Sequence, residues 1–161
     1  MIVVPQAAIG LAKRFEGFCR VPKSDPTRAC PYLCPAGFWT IGYGHLCDPK
    51  HPPITFAEGE AYLAADMADA LRATPHCCPV LATEPEGRLA AIVDFTFNLG
   101  AGRLLTSTLR RRINQRDWVG AAQELRRWVY GGGRVPPGLV LRREAEVALL
   151  LDGAVTFLAT L

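Results

Sequence analysis

Hydrophobic positions at the start of the chain follow a helical period. Between residues 5 and 18 the apolar residues recur on one stripe, made of Ala8, Leu11, Ala12, Phe15 and Phe18. Pro5 suits the first position of a helix. The pattern therefore predicts a first helix over residues 5–18, and Glu16 lies just beside its apolar stripe, near its end.

The pattern changes over residues 34–45, which read Cys-Pro-Ala-Gly-Phe-Trp-Thr-Ile-Gly-Tyr-Gly-His. Aromatic and β-branched residues favour strands, and this density of proline and glycine excludes a helix interior. We expect a tight hairpin with a short first strand, a Pro-Ala-Gly turn and a second strand from Trp39 to Tyr43. Gly42 and Gly44 would let the backbone approach a ligand closely.

A capping box marks the start of the next helix. Thr55 and Glu58 have the spacing at which each side chain bonds the other residue's backbone N–H. The helical pattern continues to about Ala73 and is expected to stop at Thr74-Pro75, because proline interrupts a helix.

Four further helices are predicted in the remainder of the chain. The first starts at residues 83–86 and ends at Gly100, and its apolar residues on neighbouring faces are typical of a central, largely buried helix. Ser107 and Asp117 are N-cap residues for the next two helices. The expected ranges after Gly100 are 108–114, 118–129 and 139–151, and the apolar tail 152–161 is expected to pack against the domain.

Charge is distributed unevenly along the 161 residues, although the net charge is only +3. Residues 58–86 contain six acidic residues and one arginine, whereas residues 103–146 contain ten arginines and four acidic residues. A basic half can meet nucleic acid, a membrane surface or an acidic cell-wall polymer, or it can simply be a solvated helical surface.

The sequence shows no features of membrane insertion or export. No apolar run reaches the roughly 18 residues that a membrane span needs. Residues 1–5 lack a basic segment followed by a long apolar one, so no signal peptide is predicted. The chain is expected to act where it is made or to be carried across a membrane by another component.

Six cysteines are many for a cytosolic enzyme of this length, and some disulfide bonding is expected. Their pairing cannot be chosen from the sequence, and a bridge between the adjacent Cys77 and Cys78 would be strained. No spacing typical of a zinc site is present. No metal and no cofactor are predicted.

Candidate chemistry converges on the predicted hairpin. Cys34 and Thr40 stand at the two ends of its turn, and Glu16 precedes it at the end of the first helix. The negative end of the helix dipole and apolar neighbours both disfavour a charged carboxylate there, which suits a proton donor. By itself, a single Glu is more often a solvated surface residue.

The order of these residues resembles the phage lysozyme family, glycoside hydrolase family 24. Glu16, Cys34 and Thr40, with Thr40 followed by Ile-Gly-Tyr-Gly-His, match the catalytic Glu, Asp/Cys and Thr of that family. The resemblance covers roughly residues 6–151 and includes these downstream segments: 97–100, 107–109, 128–132, 137–139 and 142–146. One departure is that residues 17–33, with Cys30 among them, form an insertion between the Glu and the Asp/Cys positions.

The resemblance implies an α+β, mainly α, lysozyme-like fold with two lobes and one small antiparallel β-sheet near residues 33–47. The cleft would lie between that sheet and the helical lobe. Within a single domain over residues 1–161, the expected parts are a small β-containing lobe over about 15–60, a connecting helix over about 56–73, and a helical lobe over about 76–161 that packs with the helix 5–18.

The resemblance also implies an endolysin that cuts the β-1,4 bond between N-acetylmuramic acid and N-acetylglucosamine in peptidoglycan. Glycoside hydrolysis needs a proton for the leaving oxygen, and inverting enzymes activate a water on the opposite face of the sugar. Glu16 would be the acid and Thr40 would hold the water. A neutral thiol is a poor base, so Cys34 is either a base or electrostatic partner, or a bystander.

Tyr43, His45 and Asn98 are the candidate substrate-binding residues. For His45, a structural role as a buried hydrogen-bond partner between the lobes is favoured over catalysis, since a lone His needs a partner to act. Asn98 lies at the end of a predicted helix, where it can face a cleft or serve as a helix C-cap.

Competing functions are a lytic transglycosylase, which would cut the same bond with Glu16 alone, a non-catalytic wall-binding or inhibitory module, and a nucleic-acid-binding domain. No docking motif supports the last of these.

We expect peptidoglycan strands as partner, no nucleic acid, no stable membrane insertion and a monomer. The family resemblance implies synthesis in the host cytoplasm and release to the periplasmic wall through a holin-made lesion.

Overall fold

The structure is a computed structural model, and it describes residues 3–19, 22–34 and 36–152. The helices are Gln6–Glu16 (α1), Phe56–Cys77 (α2), Glu86–Leu99 (α3), Ala101–Leu105 (α4), Thr108–Asn114 (α5), Trp118–Arg126 (α6) and Pro137–Asp152 (α7). The strands are Arg28–Ala29 (β1), Tyr32–Leu33 (β2), Trp39–Ile41 (β3), His45–Leu46 (β4) and Ile54–Thr55 (β5). This mainly helical chain with small antiparallel sheets confirms the predicted fold class.

The predicted hairpin is present, but it is part of a three-stranded sheet. Strand β3 pairs with β2, with Thr40 opposite Tyr32, and with β4, with Ile41 opposite His45. The second strand was expected to reach Tyr43 and instead ends at Ile41. Gly42 and Gly44 adopt φ of 60° and 87°, which turns the chain back into β4.

A second, two-stranded sheet was not predicted. It pairs β1 with β5, so that Ala29 lies opposite Ile54. Both side chains are buried and pack with Ile41 beneath the first sheet. Each strand has only two residues, which is too short for a period-2 pattern to be recognised in the sequence.

The predicted N-caps of α2, α5 and α6 are confirmed. The Thr55 hydroxyl accepts a hydrogen bond from the Glu58 N–H at 3.2 Å, and the Glu58 carboxylate accepts one from the Thr55 N–H at 2.7 Å. Ser107 caps α5 through the N–H of Arg110, and Asp117 caps α6 through the N–H of Gly120.

The predicted end of α2 was wrong. The helix continues through Pro75 to Cys77. Both Thr74 and Cys77 are buried, and the Thr74 hydroxyl bonds the Ala70 carbonyl at 2.8 Å and the Thr96 hydroxyl at 2.9 Å. Packing of this last turn therefore outweighs the helix hydrogen bond that proline removes.

Two other helix bounds differ from the predicted ranges. Helix α6 ends at Arg126 rather than at residue 129, and α7 begins at Pro137 rather than at residue 139. Proline is favoured in the first turn of a helix, so Pro137 belongs to α7 instead of the preceding loop.

Helix α3 is the centre of the helical part. It packs against α1, α2 and α7, and its residues from Ala90 to Thr96 are all buried, as predicted. The division of the chain into two lobes joined by α2 stays a prediction. The expected packing of the tail concerns residues 153–161, which lie outside the described residues, as does Pro35 of the hairpin turn.

None of the helices in the described part of the chain combines the length and the apolar character needed to cross a membrane.

Candidate active site

An open cleft of about 570 Å³ lies between the three-stranded sheet and helices α2 and α3. Its walls include every site residue predicted from the sequence: Glu16, Cys34, Thr40, Tyr43, His45 and Asn98. The tertiary structure thus brings together side chains from the end of α1, the sheet and the end of α3.

Glu16 is the last residue of α1, and local contacts fix its backbone. Gly17, at φ 66°, ends the helix. The thiol of Cys19 bonds the Glu16 carbonyl at 3.2 Å, and the Cys19 N–H bonds the Gly42 carbonyl at 3.1 Å. These bonds join the end of α1 to the turn between β3 and β4. Gly44 lies beside the carboxylate, since a Cβ there would be 3.5 Å from Glu16 Oε2.

The expected apolar neighbourhood of Glu16 is not what the structure shows. Arg142 of α7, of which only 3% of the side chain is exposed, donates from Nη1 to Glu16 Oε1 at 2.5 Å. The same guanidinium donates twice to the buried carboxylate of Asp94, at 2.9 and 2.8 Å. Burial lowers the pKa of Arg142, but the hydrogen bonds and charges of Asp94 and Glu16 outweigh burial and raise it above its usual value.

Arg142 and Asp94 are therefore residues of the site that sequence reasoning missed. Arg142 belongs to a segment that carried the family resemblance, but its pattern predicts only a helical surface. Asp94 is a polar residue within the buried stripe of α3, and a buried carboxylate requires a cationic partner. The need of a buried Asp94 for a cation is the one feature of the sequence that could have indicated its pairing with Arg142.

Thr40 lies in the middle of β3, is buried, and lines the cleft. Its hydroxyl donates to the carbonyl of Tyr32 across the sheet at 3.5 Å, a long hydrogen bond that a ligand or water can replace. Tyr32 also lines the cleft. Burial raises the pKa of the Tyr32 phenol, so this side chain is neutral at ordinary pH.

Cys34 closes the hairpin through its backbone. Its N–H bonds the Phe38 carbonyl and its carbonyl accepts from the Gly37 N–H, both at 2.9 Å. All six cysteines lie within the described residues, and each is a free thiol, which contradicts the expected disulfide bonding and leaves the Cys34 sulfur available in the cleft.

His45 and Tyr43 are held mainly by protein contacts. His45 Nδ1 lies 2.9 Å from Oδ2 of Asp66 on α2, and the imidazole stacks on Tyr62 at 4.4 Å between ring centroids. His45 thus links β4 to α2, as expected of a structural partner, although it is about one-third exposed rather than buried. The Tyr43 ring is only 6% exposed and packs against Phe18.

Asn98 lies in the last turn of α3, and the C-cap position is occupied by Gly100 rather than by Asn98. Its side-chain oxygen accepts a hydrogen bond from Arg143 Nη2 at 2.6 Å. The alternative role as a helix cap is therefore not observed.

Metal binding is not indicated in this cleft. Across residues 3–19, 22–34 and 36–152, no three His, Cys, Asp or Glu side chains are grouped so that they could hold a metal ion.

A carboxyl group in an open cleft can supply the proton that cleavage of a glycosidic bond requires. This fold and site define the class of lysozyme-like glycoside hydrolases.

Comparison with known proteins identifies the family. A sequence model described as phage lysozyme matches residues 13–146. The SAR-endolysin of Bacteriophage PS34 is 40% identical over 132 residues, which cover 80% of this chain and 77% of that protein. The endolysin of Acyrthosiphon pisum secondary endosymbiont phage 1 is 35% identical over 153 residues, which cover 91% of this chain and 96% of that protein.

Solved structures agree with this assignment. The active form of the P1 phage endolysin Lyz superposes with a TM-score of 0.76 at 25% identity, covering 97% of this chain and 89% of that one. The muramidase domain of SpmX from Asticaccaulis excentricus gives 0.75 at 26% identity, covering 94% and 99%. The chain belongs to the phage lysozyme family, and it is a glycoside hydrolase that acts as a lysozyme.

Proposed function

We propose that this lysozyme hydrolyses the β-1,4 bond between N-acetylmuramic acid and N-acetylglucosamine in peptidoglycan, with Glu16 as the general acid. The observation that carries the proposal is the placement of the Glu16 carboxyl. One of its oxygens is held by the buried Arg142, and the other lies on the side of Gly44, within the cleft that Thr40 and Cys34 also line.

In the proposed reaction, Glu16 gives its proton to the oxygen of the leaving sugar as the glycosidic bond breaks. Glu16 then becomes a carboxylate, which the charge of Arg142 stabilises. The Thr40 hydroxyl positions the attacking water on the opposite face of the ring. Two roles for Cys34 stay open: a base or electrostatic partner for that water, or a neutral bystander.

Product analysis tests the reaction. Purified peptidoglycan is digested and the released muropeptides are weighed by mass spectrometry. Hydrolysis leaves a reducing sugar that is one water heavier than the anhydro sugar left by a lytic transglycosylase. Reducing N-acetylmuramic acid ends are the expected result, whereas anhydro ends would contradict hydrolysis.

The basic character of the second half does not favour nucleic acid as a partner. Six of its ten arginines form ion pairs with acidic residues of the same chain; these are Arg112, Arg116, Arg126, Arg127, Arg142 and Arg143. We infer that the protein binds peptidoglycan strands rather than nucleic acid, and we further propose that it is a monomer without stable membrane insertion. Light scattering after size exclusion, DNA titration at low salt and vesicle flotation test these statements.

We further propose synthesis in the host cytoplasm and holin-mediated release to the periplasmic wall. The relatives, named as a SAR-endolysin and an endolysin of phages, support a role in phage lysis, and the release route is what the family resemblance implies. Expression in Escherichia coli with and without a co-expressed holin tests the route. Lysis that requires the holin is expected, whereas lysis without it that stops when the secretion machinery is inhibited would contradict the proposal.

A further inference from the structure

Helix α7 places a second arginine, Arg143, against the cleft residue Asn98. Arg143 is fully buried, and its Nη2 lies 2.6 Å from Asn98 Oδ1 and 3.2 Å from Glu146 Oε1. Its guanidinium also lies over the ring of Phe95, 5.2 Å from the centroid. Its Nε and Nη1 are buried without a hydrogen-bond partner among the described residues, so Nη2 is the atom through which Arg143 holds Asn98.

The chemistry of arginine fixes which way the Asn98 amide points. A guanidinium carries only hydrogen-bond donors, and a primary amide carries a donor group and an acceptor. The Asn98 oxygen must therefore face Arg143. The amide nitrogen is then the polar atom that Asn98 can offer to the cleft it lines.

The charged groups around Arg143 are buried together with it. Glu146 is fully buried and close to both Arg142 and Arg143. Burial and the neighbouring carboxylate of Asp94 raise the pKa of Glu146 well above its usual value, against the opposing effect of Arg143. Asp94, Glu16 and Glu146 are thus the acidic groups that contact the two arginines.

We propose that Arg143 is a positioning residue that presents the Asn98 amide nitrogen as a hydrogen-bond donor to the acetamido carbonyl of a sugar in the cleft. This rests on the proposed function, because the peptidoglycan glycan carries an acetamido group on each sugar. Asn98 thereby contributes to selection of N-acetylated over de-N-acetylated strands.

The test measures binding rather than cleavage. Calorimetry gives the dissociation constants of short, peptide-free peptidoglycan glycan strands, either native or de-N-acetylated. The two proteins compared are Glu16→Gln and the double variant Glu16→Gln/Asn98→Ala. Asn98→Ala is expected to weaken binding of native strands by about three- to tenfold, as for one hydrogen bond. It should leave binding of de-N-acetylated strands unchanged, and an equal loss on both strands would overturn the proposal.

Asn98→Asp tests the orientation of the amide. Aspartate keeps the acceptor for Arg143 but removes the N–H donor, so the variant should melt no lower than the parent and should bind native strands as weakly as Asn98→Ala. If Asn98→Asp binds native strands as tightly as the parent, the sugar is bound by an acceptor oxygen of residue 98, and the assigned orientation of the amide is wrong.

Arg143→Lys tests the positioning role. It should weaken binding of native strands when Asn98 is present and should have no further effect in the Asn98→Ala background. Equal losses in both backgrounds would show that Arg143 acts independently of Asn98. If Arg143→Lys does not fold, the double variant Arg143→Met/Glu146→Leu, which removes the charge with its partner, replaces it.

Failure of the proposed reaction is distinguishable from failure of this inference. If the wild-type protein leaves peptidoglycan uncut while the coupling between Asn98 and the acetamido group is present, the proposed function is wrong and the inference stands. If the wild-type protein cleaves peptidoglycan but Asn98→Ala weakens binding of native and de-N-acetylated strands equally, the proposed function stands and this inference is wrong.

Discussion

Arg142 donates hydrogen bonds to Glu16 and to Asp94 at the same time. The first of these contacts joins residues 126 positions apart in the chain, from the end of α1 to the start of the last helix. The bidentate contact with the buried Asp94 fixes the guanidinium plane, so the Glu16 carboxyl is held at a defined place in the cleft.

Replacing Glu16 by glutamine should abolish lysis without unfolding the protein. Glutamine keeps the size and an acceptor for Arg142 but has no acidic proton, and general acid catalysis contributes about 10²- to 10⁴-fold to a rate. Turbidity of outer-membrane-permeabilised Gram-negative cells measures the loss. Glu144→Gln, which alters a surface ion pair with Arg126, is the matched control and should clear cells normally. Clearance by Glu16→Gln at a rate near wild type would refute its role.

Replacing Arg142 by methionine should strongly destabilise the protein. The change leaves Asp94 buried without its cation, and breaking a buried ion pair from one side costs about 3–5 kcal/mol. Urea unfolding of Arg142→Met measures this cost. The double variant Arg142→Met/Asp94→Leu removes both charges and should recover most of the lost stability. No recovery in the double variant would mean that Arg142 stabilises the fold through contacts other than Asp94.

Cys34 should be alkylated by iodoacetamide in the native protein without prior reduction, since its thiol is free and lines the cleft. Peptide mass mapping with and without reductant measures the alkylation of Cys34. If Cys34 takes part in the reaction, Cys34→Asp should keep activity and Cys34→Ala should lower it. Recovery of Cys34 only in a disulfide-linked peptide from active enzyme would exclude a direct catalytic role for its sulfur, leaving Glu16 and Thr40.

Glu146 should make the folded state less stable as pH rises. Burial raises the pKa of Glu146 above its unfolded value, so the folded state holds this proton more tightly than the unfolded state does. The resulting stability is complete below the unfolded pKa and is lost as pH rises towards the folded pKa. The groups that face Glu146 are Asp94, Arg142 and Arg143, and neither arginine titrates in this range.

Glu146→Gln imitates the protonated side chain and should remove this dependence. Its free energy of unfolding relative to wild type should increase between about pH 4 and pH 7, so that the variant is at least as stable as wild type at neutral pH. Urea titrations across that range measure the difference. A difference that shrinks with rising pH would show that Glu146 is stabilised as a carboxylate instead.

Much of the site could be predicted because its signals are local or belong to a short motif. The hairpin of β2 and β3 is predicted by strand-forming residues on either side of a Pro-Ala-Gly turn, whereas the turn at Gly42 and Gly44, both with positive φ, is not. The N-caps at Thr55, Ser107 and Asp117 depend on side chains that bond backbone groups two or three residues away. Glu16, Cys34 and Thr40 are predicted as cleft residues by their match to the family motif, and Asn98 by its place at the end of a predicted helix.

The sequence by itself determined where the helices α1, α2, α3, α5 and α6 begin, and which family the chain resembles. The continuation of α2 through Pro75, the pairing of β1 with β5, and the use of Arg142 and Arg143 as partners of Glu16 and Asn98 were decided by the tertiary structure. The physical reason is that propensity and capping act within a few residues. Burial of a charge or a helix turn depends instead on distant side chains, which are brought within 3 Å only when α1, α3 and α7 pack together.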